Sequence, residues 1–134
     1  MAVLLLSGFA VLLLDQWTKN WALVETRNRR IDFGPVAIRH VAAQRKTLPP
    51  AILALVLAAS LACAVMLIRT GAWFQNPIAL CALGVAFGGA SGNLMDLARR
   101  RHVVDFIDLK WWPVFNIADV AIVGGLVIAL LLRR

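Results

Sequence analysis

Several polar side chains stand inside or at the ends of long apolar stretches: Asp15, Lys19, Asn93, Asp96, Asp105, Asp108, Asn116 and Asp119. An ionisable group within a membrane-spanning segment costs roughly 2.5–3.5 kcal/mol on insertion scales, so each calls for a partner or a task. Their spacing is ordered. Asp15 and Lys19 are four apart and share a helix face, where they could pair. Asn93 and Asp96 are three apart at the end of one apolar stretch, and Asn116 and Asp119 are three apart at the start of the next. Asp105 lies between them, in Val103-Val104-Asp105-Phe106-Ile107-Asp108. Two carboxylates brought together cannot both ionise easily and come to share a proton. One then serves as general base on a water while the other, protonated, polarises a scissile carbonyl and assists the leaving amine. That is peptide hydrolysis without a metal or a covalent intermediate.

Plainer roles compete for each residue. Asn116 reads as a helix cap, with Asp119 favoured near the positive end of the same helix. Asp96 could pair with Arg99 or Arg100 one turn on. Asp15 with Lys19 reads as a structural pair, and Asp108 as a solvated loop residue. No other catalytic apparatus stands out. Ser7, Ser60 and Ser91 have no His at useful spacing, and no phosphate loop is present. His40 and His102 are isolated in loops, and Cys63 and Cys81 sit in apolar stretches without CxxC spacing. Zinc is therefore not expected, and the cysteines read as small hydrophobes.

The elements that must position these residues are four apolar segments, each near the ~20 residues needed to cross a bilayer. They run from about Ala2 to Leu23, Pro49 to Ile68, Pro77 to Ala98, and Asn116 to Leu132. Backbone groups cannot go unpaired in lipid, so helices are expected. The first segment has no basic flank before it and no small-residue cleavage site after it, so it reads as a retained helix. The fold class expected is an all-α membrane protein of four transmembrane helices in a single domain over residues 1–134. A small β-containing extramembrane loop follows helix one, from Ile31-Asp32-Phe33-Gly34-Pro35-Val36-Ala37-Ile38. Trp111-Trp112-Pro113, just before helix four, suggests an interfacial anchor. Gly84, Gly88 and Gly92 make a ridge of small residues for close helix packing.

Composition agrees. The chain is 61% apolar and only 16% charged, with fourteen basic and seven acidic residues, where soluble domains are about a quarter charged. The basic residues lie in short runs between apolar stretches. Membrane phospholipid headgroups explain them better than nucleic acid, which is not expected as a partner.

The ordered motifs Asp15-Gln16-Trp17-Thr18-Lys19, Gly92-Asn93-Leu94-Met95-Asp96, Val103-Val104-Asp105-Phe106 and Phe115-Asn116-Ile117-Ala118-Asp119 resemble those of the lipoprotein signal peptidases, the signal peptidase II family. The resemblance spans most of the chain and follows the same four-helix plan. It implies an aspartic endopeptidase with Asp105 and Asp119 as catalytic residues. Asn93, Asp96, Asn116, Asp15, Lys19, Arg100 and His40 would support the site or the substrate. The implied substrate is a prolipoprotein signal peptide, cut just before its diacylglyceryl-cysteine. The implied setting is the bacterial cytoplasmic (inner) membrane, multi-pass, with the active site near the outer leaflet and no cofactor.

The chain departs from the family pattern in two places. Leu97 stands where Arg usually follows the aspartate, and an Arg at position 99 or 100 is not equivalent. In the first long loop, His40 and Ala42 stand where Asn and Gly are expected. These departures keep open a divergent member that binds acylated or hydrophobic peptides without cutting. A proton-coupled transporter is a third reading. Against it, the polar groups gather at one face and helix two carries no ionisable residue between Ala51 and Ile68. Eleven of the fourteen basic residues lie in the long loops or at Lys19. The positive-inside rule would place those loops in the cytoplasm, whereas the resemblance implies that they lie outside.

Overall fold

The computed structural model describes residues 1–26, 30–42, 50–71 and 74–132. Helix α1 (Ala2–Glu25) contains no proline, and its last turn closes on Thr26, whose hydroxyl donates to the Ala22 carbonyl at 2.6 Å. Helix α2 (Pro50–Arg69) opens on a proline, which suits a first turn whose N–H would be unpaired anyway. Helix α3 (Pro77–Arg100) also opens on proline, behind an Asn76 cap whose side chain accepts from the Ile78 N–H at 2.9 Å. It stops at Arg101, which takes the left-handed conformation (φ 66°) common at helix C-termini. Helix α4 (Ile117–Leu131) starts from a capping box: the Asn116 side chain accepts from the Asp119 N–H, and the Asp119 carboxylate accepts from the Asn116 N–H.

Among the described residues, α1 and α3 are long and apolar enough to cross a membrane. At 24 residues each, they extend about 36 Å, against roughly 30 Å of hydrocarbon. Helix α4, with 15 residues, is shorter. The distribution of side chains is the reverse of a soluble protein's. Leu5, Leu6, Phe9, Leu13 and Trp17 of α1 and Val120, Val123, Val127 and Leu131 of α4 are exposed, while Asp15, Lys19, Asp96 and Asn116 are completely buried. Water would not sustain that arrangement, whereas lipid favours it.

Helix α3 is the central element, and its glycines set the packing. A Cβ on Gly88 would lie 2.3 Å from the Gly8 carbonyl oxygen, and one on Gly92 would lie 2.3 Å from Asp15 Oδ2. Backbone thus meets backbone or a charged side chain directly, as small-residue ridges permit. Because Leu4 meets Gly84, Gly8 meets Gly88 and Asp15 meets Gly92, α1 and α3 run parallel. On α3's other side, Gly89 meets Ala118 and Ala82 meets Gly125, so α4 runs antiparallel. The C-terminal halves of α1 and α3 and the start of α4 therefore share one end. An apolar cluster built around Leu4, Ala64, Ala79, Leu83 and Ala129 fills the other end.

A three-stranded antiparallel sheet caps the polar end, in the order β1 (Ile31–Phe33), β2 (Val36–Ala42), β3 (Val104–Asp108). Residues 31–38, expected to hold β structure, form the β1–β2 hairpin around Gly34, which has φ +70°. Strand β3 was not expected. The segment following α3 is not an irregular loop: it pairs with β2 through Ala37↔Asp108, Ile38↔Ile107 and Val41↔Asp105. Asp108 also needs correction. It is not solvated but buried at 4% exposure, held by Arg39 at 2.6 Å, Arg30 at 3.7 Å and the Lys110 backbone N–H at 2.8 Å. The Lys110 N–H first, and then the two guanidiniums, hold its carboxyl below the usual carboxylate range against some opposition from burial. Trp111 and Trp112 stand exposed beside the sheet, edge to face at 5.7 Å.

Candidate active site

The expected polar residues meet at this end of the bundle. Asp105 comes from β3, Asn93 and Asp96 from the last turns of α3, Asn116 and Asp119 from the start of α4, and Asp15 and Lys19 from the later half of α1.

Two carboxamides join the two aspartates. Asn116 Nδ2 donates to Asp105 Oδ1 at 2.9 Å and to Asn93 Oδ1 at 3.1 Å. Asn93 Nδ2 donates to Asp119 Oδ1 at 3.0 Å. Asp119 Oδ2 accepts the Asn116 backbone N–H at 3.2 Å, and Asn116 Oδ1 accepts the Asp119 N–H at 3.0 Å. The capping role foreseen for Asn116 is thus real, and the same side chain reaches Asp105. Asp105 is nearly buried at 9% exposure, while Asp119 is only half-buried.

Behind this pair lies an ionic core. Lys19 Nζ is 2.7 Å from Asp15 Oδ2 and 2.8 Å from Asp96 Oδ2, and it donates to Asn93 Oδ1 at 2.9 Å. Arg100 pairs with Asp96 and also donates to Asn20 Oδ1 at 2.6 Å, tying α3 to α1. Asp96 Oδ2 takes the Val104 N–H at 3.2 Å, and Asp15 Oδ1 takes the Ala118 N–H at 3.1 Å. These two carboxylates therefore anchor the first residues of β3 and α4, which carry Asp105 and Asp119. Two acids and two bases balance in charge, and buried ions persist when paired and hydrogen-bonded in this way.

Leu97 is buried at 5% exposure, and of the two arginines considered for Asp96 it is Arg100 that pairs with it. The side chain of His40 and residues 43–49 of the same loop lie outside the described residues. Two contributors had been given no role at the site. Gln16 Nε2 donates to Asp96 Oδ1 and to the Gly92 carbonyl, both at 3.2 Å, and Asn20 receives Arg100. Their signal was present in the spacing, since Gln16 and Asn20 are four apart, one position beyond Asp15 and Lys19. Among the described residues no group of three His, Cys, Asp or Glu side chains is arranged to hold a metal ion.

A bundle that turns its apolar side chains outward and encloses carboxylates, carboxamides and cations defines an integral membrane protein with a built polar site at one end. The family profile for signal peptidase (SPase) II matches residues 8–133, and the chain belongs to that family. Similar proteins include the lipoprotein signal peptidases of Moorella thermoacetica, 54% identical over 54 residues (40% of this chain, 36% of the relative), and of Syntrophomonas wolfei, 51% over 57 residues (42% and 38%). That of Rhodococcus jostii is 42% identical over 71 residues (48% and 36%). The matched segments thus span little more than a third of these relatives. Two solved structures described as a bacterial membrane enzyme, at 2.3 Å and 1.9 Å resolution, share the fold: TM-score 0.77 and 23% identity in both, covering 98% of this chain and 87% or 92% of theirs.

Proposed function

We propose that this chain is an intramembrane aspartyl endopeptidase that removes the signal peptide from lipid-modified prolipoproteins, cutting just before the diacylglyceryl-cysteine. The carrying observation is the amide bridge: Asn116 on Asp105 at 2.9 Å, Asn93 on Asp119 at 3.0 Å, and the two carboxamides 3.1 Å apart. Family membership supports the reading, as do relatives that are named lipoprotein signal peptidases.

In this mechanism one aspartate of the pair is charged and the other protonated. The charged one takes a proton from water, whose oxygen attacks the scissile carbonyl carbon. The protonated one donates a hydrogen bond to the carbonyl oxygen. The tetrahedral intermediate then collapses, the C–N bond breaks, and the departing nitrogen takes a proton from the dyad. Asn93 and Asn116 hold the carboxylates in register, and the ionic core holds the amides and the elements that carry them. All four helices span the inner membrane, with the site near the outer leaflet. There the signal helix and acyl chains arrive from the bilayer, and arginines of the long loops meet phospholipid phosphates.

The test is cleavage by purified protein of a diacylglyceryl-modified prolipoprotein peptide beside its unmodified form. Only the lipidated form should be cut. Asp105→Asn and Asp119→Asn should each lower the rate by roughly 10²–10⁴-fold while the protein still purifies as a folded species. Cleavage by either variant at the parental rate would reject the dyad. Binding of the lipidated peptide with no turnover by the parent would assign the chain to a non-cleaving branch of the family.

A further inference from the structure

Lys19 is among the largest fully buried side chains of the described residues, and its ammonium is 0% exposed. An ammonium has three protons to donate and no lone pair. All three are taken: by Asp15 Oδ2 at 2.7 Å, by Asp96 Oδ2 at 2.8 Å and by Asn93 Oδ1 at 2.9 Å. The first two contacts balance charge, but the third falls on a neutral amide. The two ends of a carboxamide are nearly the same shape and are told apart by their partners. Because Lys19 can only donate, the end of Asn93 that meets it is oxygen. The same oxygen accepts Asn116 Nδ2 at 3.1 Å. Asn93 Nδ2 is thereby turned to Asp119 Oδ1 at 3.0 Å. Asn116 is fixed independently, because the Asp119 backbone N–H can meet only its oxygen, at 3.0 Å.

The geometry points to Lys19 as a positioning residue for the aspartate pair: it locks the Asn93 carboxamide so that an N–H, and not a carbonyl, faces Asp119. The inference rests on the proposed hydrolysis. Without Lys19 the Asn93 oxygen keeps only Asn116 Nδ2, a donor shared with Asp105 Oδ1 and the Val104 carbonyl, and an amide that turned over would set its oxygen against a carboxylate oxygen of Asp119. A lysine that merely offset the charge of Asp15 and Asp96 would act on α1 and α3 without reference to Asn93.

A double-mutant cycle separates the two roles. Rates on the lipidated peptide are compared for the parent, Lys19→Met, Asn93→Ala and the double variant, each checked for folding by size-exclusion chromatography and circular dichroism. Lys19→Met should lower kcat by about 10- to 100-fold, the scale on which partners behind a ligand act, with KM little changed. In the Asn93→Ala background the same substitution should cost no further rate, because the two residues act as one unit. Losses that multiply would overturn the inference. Lys19→Gln, which removes the charge but keeps an N–H donor for Asn93 Oδ1, should retain more of the parental rate than Lys19→Met, and an equal loss in the two would overturn the inference. Failure of both to fold would assign Lys19 to the fold alone and likewise overturn it. A parent that does not cut removes the proposed function, and this inference with it. A parent that cuts while the losses multiply removes only the role of Lys19.

Discussion

The carboxylates of this protein answer to different forces according to where they sit. Asp96 is fully buried and collects Lys19, Arg100, Gln16 and the Val104 N–H, so it lives among fixed donors. Asp108 sits in the capping sheet, where the Lys110 N–H and the guanidiniums of Arg39 and Arg30 hold its carboxyl low. A carboxyl whose folded value is depressed contributes stability that is full above its unfolded value of about 3.9. That contribution is lost as pH falls from there through the lower folded value. Asp108→Asn should therefore lower the melting temperature at pH 7, and the gap from the parent should close as both are titrated below about pH 4. A gap that persists unchanged into acid would mean that Asp108 acts by shape and not by charge. Asp108 reads as a loop residue in the sequence because Arg39, its closest ionic partner, is far away in the chain. Only the pairing of β2 with β3 brings them together.

Among the elements, α3 decides the architecture. It meets α1 through Gly84, Gly88 and Gly92, and meets α4 through Gly89. Gly88→Ala would drive a methyl to 2.3 Å from the Gly8 carbonyl oxygen, and overpacking of this kind costs about 1–3 kcal/mol. Gly124→Ala meets nothing within 4 Å and should stay within about 0.5 kcal/mol of the parent. Thermal aggregation of the two variants in the same detergent should separate them, and equal behaviour would refute the close α1–α3 contact. The ridge itself was legible from four-residue spacing, as were the helix starts at the prolines and at Asn116. Which helix the ridge faced was not, because small residues carry no directional signal. Strand β3 was hidden for another reason. Val104, Asp105, Phe106 and Asp108 are all buried, so the segment lacks the alternation that marks a strand with one wet face. The convergence of Asp105 with Asn93, Asn116 and Asp119 could be anticipated from helix ends meeting at one face. The direction of each amide could not, since it depends on donors from three different elements.

Over the whole molecule, the parallel course of α1 and α3 and the antiparallel course of α4 bring the site, the sheet and the exposed Trp111–Trp112 pair to one end. If that end faces outward, as proposed, a reporter active only outside the cytoplasm should work when inserted at Gly34 or near Trp111. A reporter active only in the cytoplasm should work when fused after Leu132. The reverse pattern would vindicate the excess of basic residues in the long loops as the orienting signal and move the site to the inner leaflet. The same layout bears on how the chain is made. Synthesis delivers α1 to the bilayer well before α3 exists, so for that interval Asp15 and Lys19 have no Asp96, Asn93 or Ala118 N–H to meet. What they do have is each other, one helical turn apart and 2.7 Å away. An ion pair closed within one helix would lower the cost of holding both charges in lipid until the neighbouring helices arrive. Splitting it should therefore show first as poor membrane integration of the nascent chain, before the bundle has had the chance to assemble.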